Sequence, residues 1–284
     1  MKIGVSSYSF AQYLKNGRLD RISILQMAAD MGFEAIEYTD LPQDTTENRH
    51  ALAQQIKEEA TKVNIELSAY VCGGNLLCDT PEATQKEVNR LKGELDIASA
   101  LGVKLFRYDV IRKLPLHRNF ESVLNAVVPA MRQLADYGKT LGIMTMIENH
   151  GYAFQDYDRI ETICHAVGHD NFGLLLDTGN FLCADQDNVF CTSRLAHLAC
   201  HVHVKDFFIY DYHTPHPKDG CFKTRACNWL LGTAIGHGHA RTAQCLSILQ
   251  EAGYDGYVDI EFEGPEDCLE ELTKSLEFIK NCRL

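Results

Sequence analysis

The chain contains no run approaching the ~18 consecutive apolar residues of a membrane helix, no Cys-x-x-Cys pair and no cluster of Lys and Arg. Each absence removes a class of protein. The first argues against a membrane partner. The second matters because there are 11 cysteines, an odd number, scattered from Cys72 to Cys282. Disulfide frameworks belong to small secreted chains, and at 284 residues this one is not small. The thiols read as small buried or half-buried groups in a reducing compartment. The third absence, with a formal net charge of −12, argues against nucleic acid, whose phosphates need a basic track. Met1–Val5 is too short and too soon polar for a signal peptide and reads as a first strand. The expected location is the cytoplasm.

What is present is an ordinary globular composition, 45% hydrophobic and 23% charged. It is arranged as short apolar runs alternating with longer amphipathic stretches. The strand-like runs are Ile3–Ser7, Ala35–Tyr38, Ile65–Ala69, Lys104–Tyr108, Met144–Glu148, Gly173–Asp177, Val202–Lys205 and Val258–Glu261. Between them lie helical periods such as Val88, Leu91, Leu95, Ala98 and Leu269, Leu272, Leu276, Ile279. Gly32, Gly102, Gly142 and Gly173 precede strands, where helices must stop.

Alternating strands and helices imply a parallel sheet. Eight units without a linker fit a single (β/α)8 TIM barrel over residues 1–284, an α/β fold. Pro129 should kink or interrupt the helix it falls in. Residues 206–240 are too many for an ordinary βα loop. Their aromatics and glycines predict an ordered lid that covers the barrel mouth and sets substrate choice.

Reactive residues of such a barrel come from the C-terminal ends of its strands. Four of these ends carry metal-ligand types: Glu148, Asp177, His203 and Glu261. Strand alternation lets Glu148 share a face with Met146 and Met144, and Asp177 with Leu175 and Gly173. Three carboxylates meeting without a cation would repel, and one would have to stay protonated. One divalent ion removes that cost, and three oxygens with one imidazole suit Mn²⁺, Mg²⁺, Co²⁺ or Zn²⁺. Around them, Arg107, His150, Lys205 and Glu37 are candidate substrate contacts. His201 reads as a core histidine, Glu263 as a residue that orients a ligand or lies in solvent, and His237 and His239 as polar loop residues.

The segments Glu148-Asn149-His150-Gly151, Leu176-Asp177-Thr178-Gly179-Asn180, His201-Val202-His203-Val204-Lys205-Asp206 and Ile260-Glu261-Phe262-Glu263 occur in this order. Together with Ile235-Gly236-His237-Gly238 and Gly253-Tyr254-Asp255-Gly256-Tyr257, they resemble the sugar phosphate isomerase/epimerase family of the xylose-isomerase-like barrel superfamily. The resemblance spans essentially the whole chain. It departs at His237, where the family commonly has an acidic residue. It implies a metal-dependent isomerase or epimerase acting on a small sugar, sugar phosphate or keto-polyol, with Glu148 and Glu261 as the acid–base pair. A lyase or dehydratase on a keto-polyol would use the same first step. An abasic-site endonuclease shares the barrel, but strands two and three here end without histidine. A catalytically silent sugar-binding barrel is opposed by the intact tetrad. The sequence leaves a homo-oligomer open.

Overall fold

The computed structural model of the chain describes residues 1–111, 119–215 and 217–282. Eight parallel strands close a barrel: β1 (Lys2–Ser6), β2 (Ala35–Thr39), β3 (Glu66–Cys72), β4 (Leu105–Tyr108), β5 (Met144–Glu148), β6 (Phe172–Asp177), β7 (Ala199–Val204) and, after an inserted sheet, β11 (Tyr257–Ile260). Their order around the barrel is β1-β11-β7-β6-β5-β4-β3-β2. The inserted strands β8 (Asp206–Tyr210), β9 (Phe222–Lys223) and β10 (Trp229–Thr233) form a separate antiparallel sheet, ordered β8-β10-β9.

Helices α1 (Ala11–Lys15) and α2 (Ser23–Met31) follow β1, and α3 (Thr46–Lys62), α4 (Pro81–Leu101) and α5 (Phe120–Leu141) follow the next three strands. Later come α6 (Tyr157–Val167), α7 (Asn180–Cys183), α8 (Asn188–Leu195), α9 (Thr242–Glu251) and α10 (Cys268–Asn281). Side-chain caps start several of them. Thr80 accepts from Ala83 N at 3.1 Å ahead of Pro81, and Asn119 accepts from Ser122 N at 2.8 Å. The expected helix faces are the buried ones: Val88, Leu91, Leu95 and Ala98 of α4 are all at 0% exposure.

Two local expectations are corrected. Helix α5 runs unbroken through Pro129, so the residue removes one backbone donor without ending the helix. Gly173 is not a helix stop. Gly32, Gly102 and Gly142 do end helices in the left-handed region, but before β6 that role falls to Gly168, and Gly173 lies inside the strand. A side chain at Gly173 would meet Cys200 Sγ at 2.5 Å, so glycine there admits the neighbouring strand.

The inside of the barrel is divided. One side carries Ala69, Val71, Met146 and Leu175, an apolar cluster. The other, formed by β1, β2, β7 and β11, carries Ser6, Glu37, His201 and Asp259, all at 0% exposure. This polar half lies beneath the C-terminal end of the barrel and supports what is built there.

Candidate active site

Glu148 ends β5, Asp177 ends β6, His203 lies on β7 and Glu261 follows β11. A ligand atom from each falls within 4.8 Å of those from the others. Backbone and amide bonds hold the array. Asn149 Nδ2 donates to Asp177 O at 2.8 Å while Asp177 N donates back to Asn149 Oδ1 at 2.9 Å, locking the ends of β5 and β6 together. Asp177 Oδ1 accepts from Gly179 N and Asn180 N, at 2.7 and 2.8 Å. Asn180 Nδ2 donates to Glu148 Oε1 at 2.8 Å. The last three bonds occupy one oxygen of each carboxylate, Oδ1 of Asp177 and Oε1 of Glu148.

Two cations balance these acids. Arg107 Nη2 lies 2.7 Å from Glu148 Oε2 and also bonds Asp109, which in turn meets His150 Nδ1 at 2.9 Å. Lys205 Nζ lies 3.0 Å from Asp177 Oδ2 and pairs with Glu261, with Glu263 at 3.7 Å. Gly179 makes room for it, since a Cβ there would come within 2.3 Å of Lys205 Cγ. Burial alone would lower the ammonium pKa, but Asp177 and Glu261 raise it well above the ordinary value. Burial raises the Asp177 carboxyl to about 6, with Lys205 opposing and Glu148 and Glu261 adding.

One layer down, Glu37 Oε2 accepts from His203 Nε2 at 2.7 Å, and Ser6 Oγ donates to Glu37 Oε1 at 3.0 Å. His201 Nε2 sits 3.0 Å from Asp259 Oδ2 and 3.4 Å from Glu37 Oε2, and Ser68 Oγ donates to Asp259 at 2.6 Å. Burial opposes the Glu37 anion, but the two rings hold its pKa well below the carboxylate range. Burial likewise opposes protonation of His203, yet Glu37 and then Glu261 lift it to about 10. Glu37, His201, His203 and Asp259 also have metal-binding spacing. The His201 and His203 rings set against Glu37 and Asp259 pair that layer internally, which makes it a support for His203.

The donor set of the upper tetrad fits a divalent cation. Once His203 gives up a proton it still donates through Nε2 to Glu37, so Nδ1 then offers a lone pair, and that buried atom has no hydrogen-bond partner. Asp177 Oδ2 likewise makes no hydrogen bond, with the Lys205 ammonium as its neighbouring charge. Three carboxylates and an imidazole nitrogen within 4.8 Å of one another are a donor set that could hold an ion such as Zn²⁺, Mn²⁺ or Mg²⁺.

Above the tetrad opens a cavity of about 290 Å³, lined by Arg107, Glu148, His150, His203, Lys205 and Glu261 and by residues the sequence did not single out, among them Tyr8, Asp40 and Asp109. Asp109 had a signal, since it follows Arg107 by two positions on the same strand face. Tyr8 and Asp40 had none, for they lie in the turns after β1 and β2. Glu37, expected against substrate, is instead beneath the cavity and bound to His203. Glu263 joins the cavity wall.

The segment expected as a lid forms the inserted sheet. Among its described residues, none of the segment 206–240 lines the cavity. Of its aromatics, Phe207 is buried in a core of its own with Leu230, Leu182, Cys183 and Ala240, and Phe222 packs against it, while Tyr212 is exposed. Asp206 fastens the segment, accepting from Gly236 N and Gly238 N at 2.9 Å each and from Ala240 N at 2.7 Å. His239 Nδ1 accepts from Ile209 N at 3.0 Å, a structural role.

A closed parallel barrel with a cluster of three carboxylates and a histidine at its C-terminal strand ends places the chain among the TIM barrels, and the sequence comparisons give the family. The family model described as xylose isomerase-like TIM barrel matches residues 25–282, and the chain belongs to that family. It is 22% identical over 283 residues to the inosose dehydratase of Mesomycoplasma hyopneumoniae (strain J), covering 92% of this chain and 89% of the relative. It is 28% identical over 195 residues to the inosose isomerase of Halalkalibacterium halodurans, covering 65% and 62%. The crystal structure of IOLI protein with a binding zinc atom superposes with a TM-score of 0.76 at 18% identity, over 99% of this chain and 98% of that one. No helix among the described residues is long and apolar enough to cross a membrane.

Proposed function

We propose that the protein is a divalent-metal-dependent isomerase or epimerase of a small sugar or keto-polyol, and that it begins by removing a proton beside a carbonyl. The observation that carries this reading is the placement of Glu148 and Glu261. They end strands separated by β6 and β7, face the same cavity, and leave Asp177 and His203 between them. A bound divalent ion would supply Lewis acidity at the substrate oxygens. The remaining work belongs to the chain. One glutamate takes the proton from carbon while the other stands opposite to return one. Arg107 holds Glu148 in place through its 2.7 Å contact. Lys205, His150 and Asp109 offer hydrogen bonds to hydroxyl groups from the cavity wall.

Running turnover in deuterated water tests the proposal. Proton abstraction brings solvent deuterium into the carbon-bound position of the product. Complete retention of the substrate's hydrogen at its new carbon, combined with two metals bound in the active site, would indicate a hydride shift and defeat the reading.

A second reading is favoured by one observation, the 22%-identical inosose dehydratase, whose alignment covers 92% of this chain. Dehydration of a keto-polyol shares the initial proton abstraction. It differs in that the enolate expels a hydroxyl group as water, so the mass of the product separates the two outcomes.

A further inference from the structure

The mouth cavity does not end at the tetrad. Tyr8 and Glu263 form part of its wall and also part of the wall of a neighbouring cleft of about 190 Å³, which contains Ser9, Ala11, Gln12, Lys15, Phe262 and Gly264. Tyr8 stands between the two with 45% of its surface exposed, unusual for a large aromatic in this chain. From the geometry of this shared wall we infer that the cleft is a second subsite, and that it takes a neutral sugar ring attached to the reacting one. The inference rests on the functional reading above.

The cleft is preformed. Gln12 Nε2 donates to Gly264 O at 3.3 Å and to Glu266 O at 2.7 Å, while its Oε1 accepts from Cys268 N at 3.1 Å. Ser9 Oγ donates to Ile260 O at 3.2 Å and accepts from Phe262 N at 2.9 Å. These bonds tie the turn after β1 to the loop after β11, so a ligand meets fixed walls and loses less to ordering them.

The chemistry of the lining selects the ligand. The face of the Tyr8 ring is electron-rich and accepts the weakly positive C–H face of a pyranose. Glu263 accepts hydroxyl hydrogens at the junction, and the Lys15 ammonium donates to hydroxyl oxygens at the far side. Glu263 opposes a phosphate or carboxylate at the junction, which favours an uncharged substituent. The mouth cavity, at about 290 Å³, lies at the lower limit of the ~300–1,000 Å³ of small-molecule pockets. A ring held at the tetrad has the cleft beside it for a second.

The test is calorimetric, on zinc-loaded protein, with D-fructose and its 3-O- and 6-O-glucosides, turanose and isomaltulose, as probes. At least one glucoside should bind about 10-fold or more tighter than fructose. Ala11→Trp, which fills the cleft from outside the mouth cavity, should abolish that preference and leave fructose binding unchanged. Tyr8→Ala should lower the preference as well, and serves if Ala11→Trp fails to fold. Equal binding of fructose and both glucosides, or a preference that survives the variants, overturns the subsite and leaves the functional reading standing. Absence of binding by all three sugars counts against the functional reading, and the subsite falls with it.

Discussion

His203 donates from Nε2 to Glu37 at 2.7 Å, and that single bond decides which of its ring nitrogens faces the mouth. A carboxylate behind a ligand histidine fixes tautomer and ring angle, and losing such a partner costs ~10–100-fold in metal affinity. Glu37→Gln should therefore weaken zinc binding by that amount in a competition titration, with the fold intact by circular dichroism. Unchanged affinity would show that the barrel positions His203 without Glu37.

Lys205 places an ammonium among Asp177, Glu261 and Glu263, as a tethered cation where a divalent ion would sit. Lys205→Met should destabilise the metal-free protein by ~3–5 kcal/mol, because buried carboxylates lose their partner. Adding zinc should restore most of that loss. Denaturant melts with and without zinc measure both effects. Equal stability of variant and parent in the absence of metal would deny Lys205 this role.

Metal binding should also release protons. In the metal-free protein His203 stays protonated up to about pH 10 and Asp177 up to about pH 6. Both pKa values are raised on folding, so each group's contribution to stability is complete below its unfolded value. That contribution is lost as pH rises through about 10 for His203 and about 6 for Asp177. A metal needs both groups deprotonated. Affinity should climb through pH 6, and near pH 7.5 zinc should expel about one proton, mainly from His203. Calorimetry in buffers of different ionisation enthalpy counts it, and no net release would mean that His203 is already neutral.

The sequence exposed the barrel and the four converging strand ends because strand alternation and the rule that reactive groups gather at C-terminal ends are local properties. Depth was not legible. Glu37 looks like Glu148 in sequence, each near the end of a strand. Yet β2 pairs Glu37 with Ser6 of β1 and shifts register against β3 between Ile36 and Tyr38, which leaves the carboxylate a layer lower. Nor could composition tell a lid from a sheet. Phe207 and Leu230 are apolar in either case, and only the pairing of Asp206–Tyr210 with Trp229–Thr233 turns them toward their own core. The cleft behind Tyr8 depends on residues 253 positions apart meeting at Ser9 and Phe262, which no local pattern signals.

The paired-carboxylate assignment stands or falls on two substitutions. Glu148→Gln and Glu261→Gln each keep side-chain size but replace one accepting oxygen by an amide donor and remove the basic carboxylate. If both residues act as acid and base, each variant should lose ~10²–10⁴-fold in kcat, the usual scale for that role. Both also hold ligand positions in the tetrad, so lower activity alone does not distinguish proton transfer from metal loss. Zinc affinity must be measured on the same preparations, and kcat taken with the metal site saturated. Solvent-deuterium exchange then separates the two residues. The variant lacking the base should fail to wash hydrogen out of the substrate. The variant lacking only the returning acid should still exchange it while forming little product. An activity near the parent's in either saturated variant would leave that glutamate as a ligand alone and break the pair.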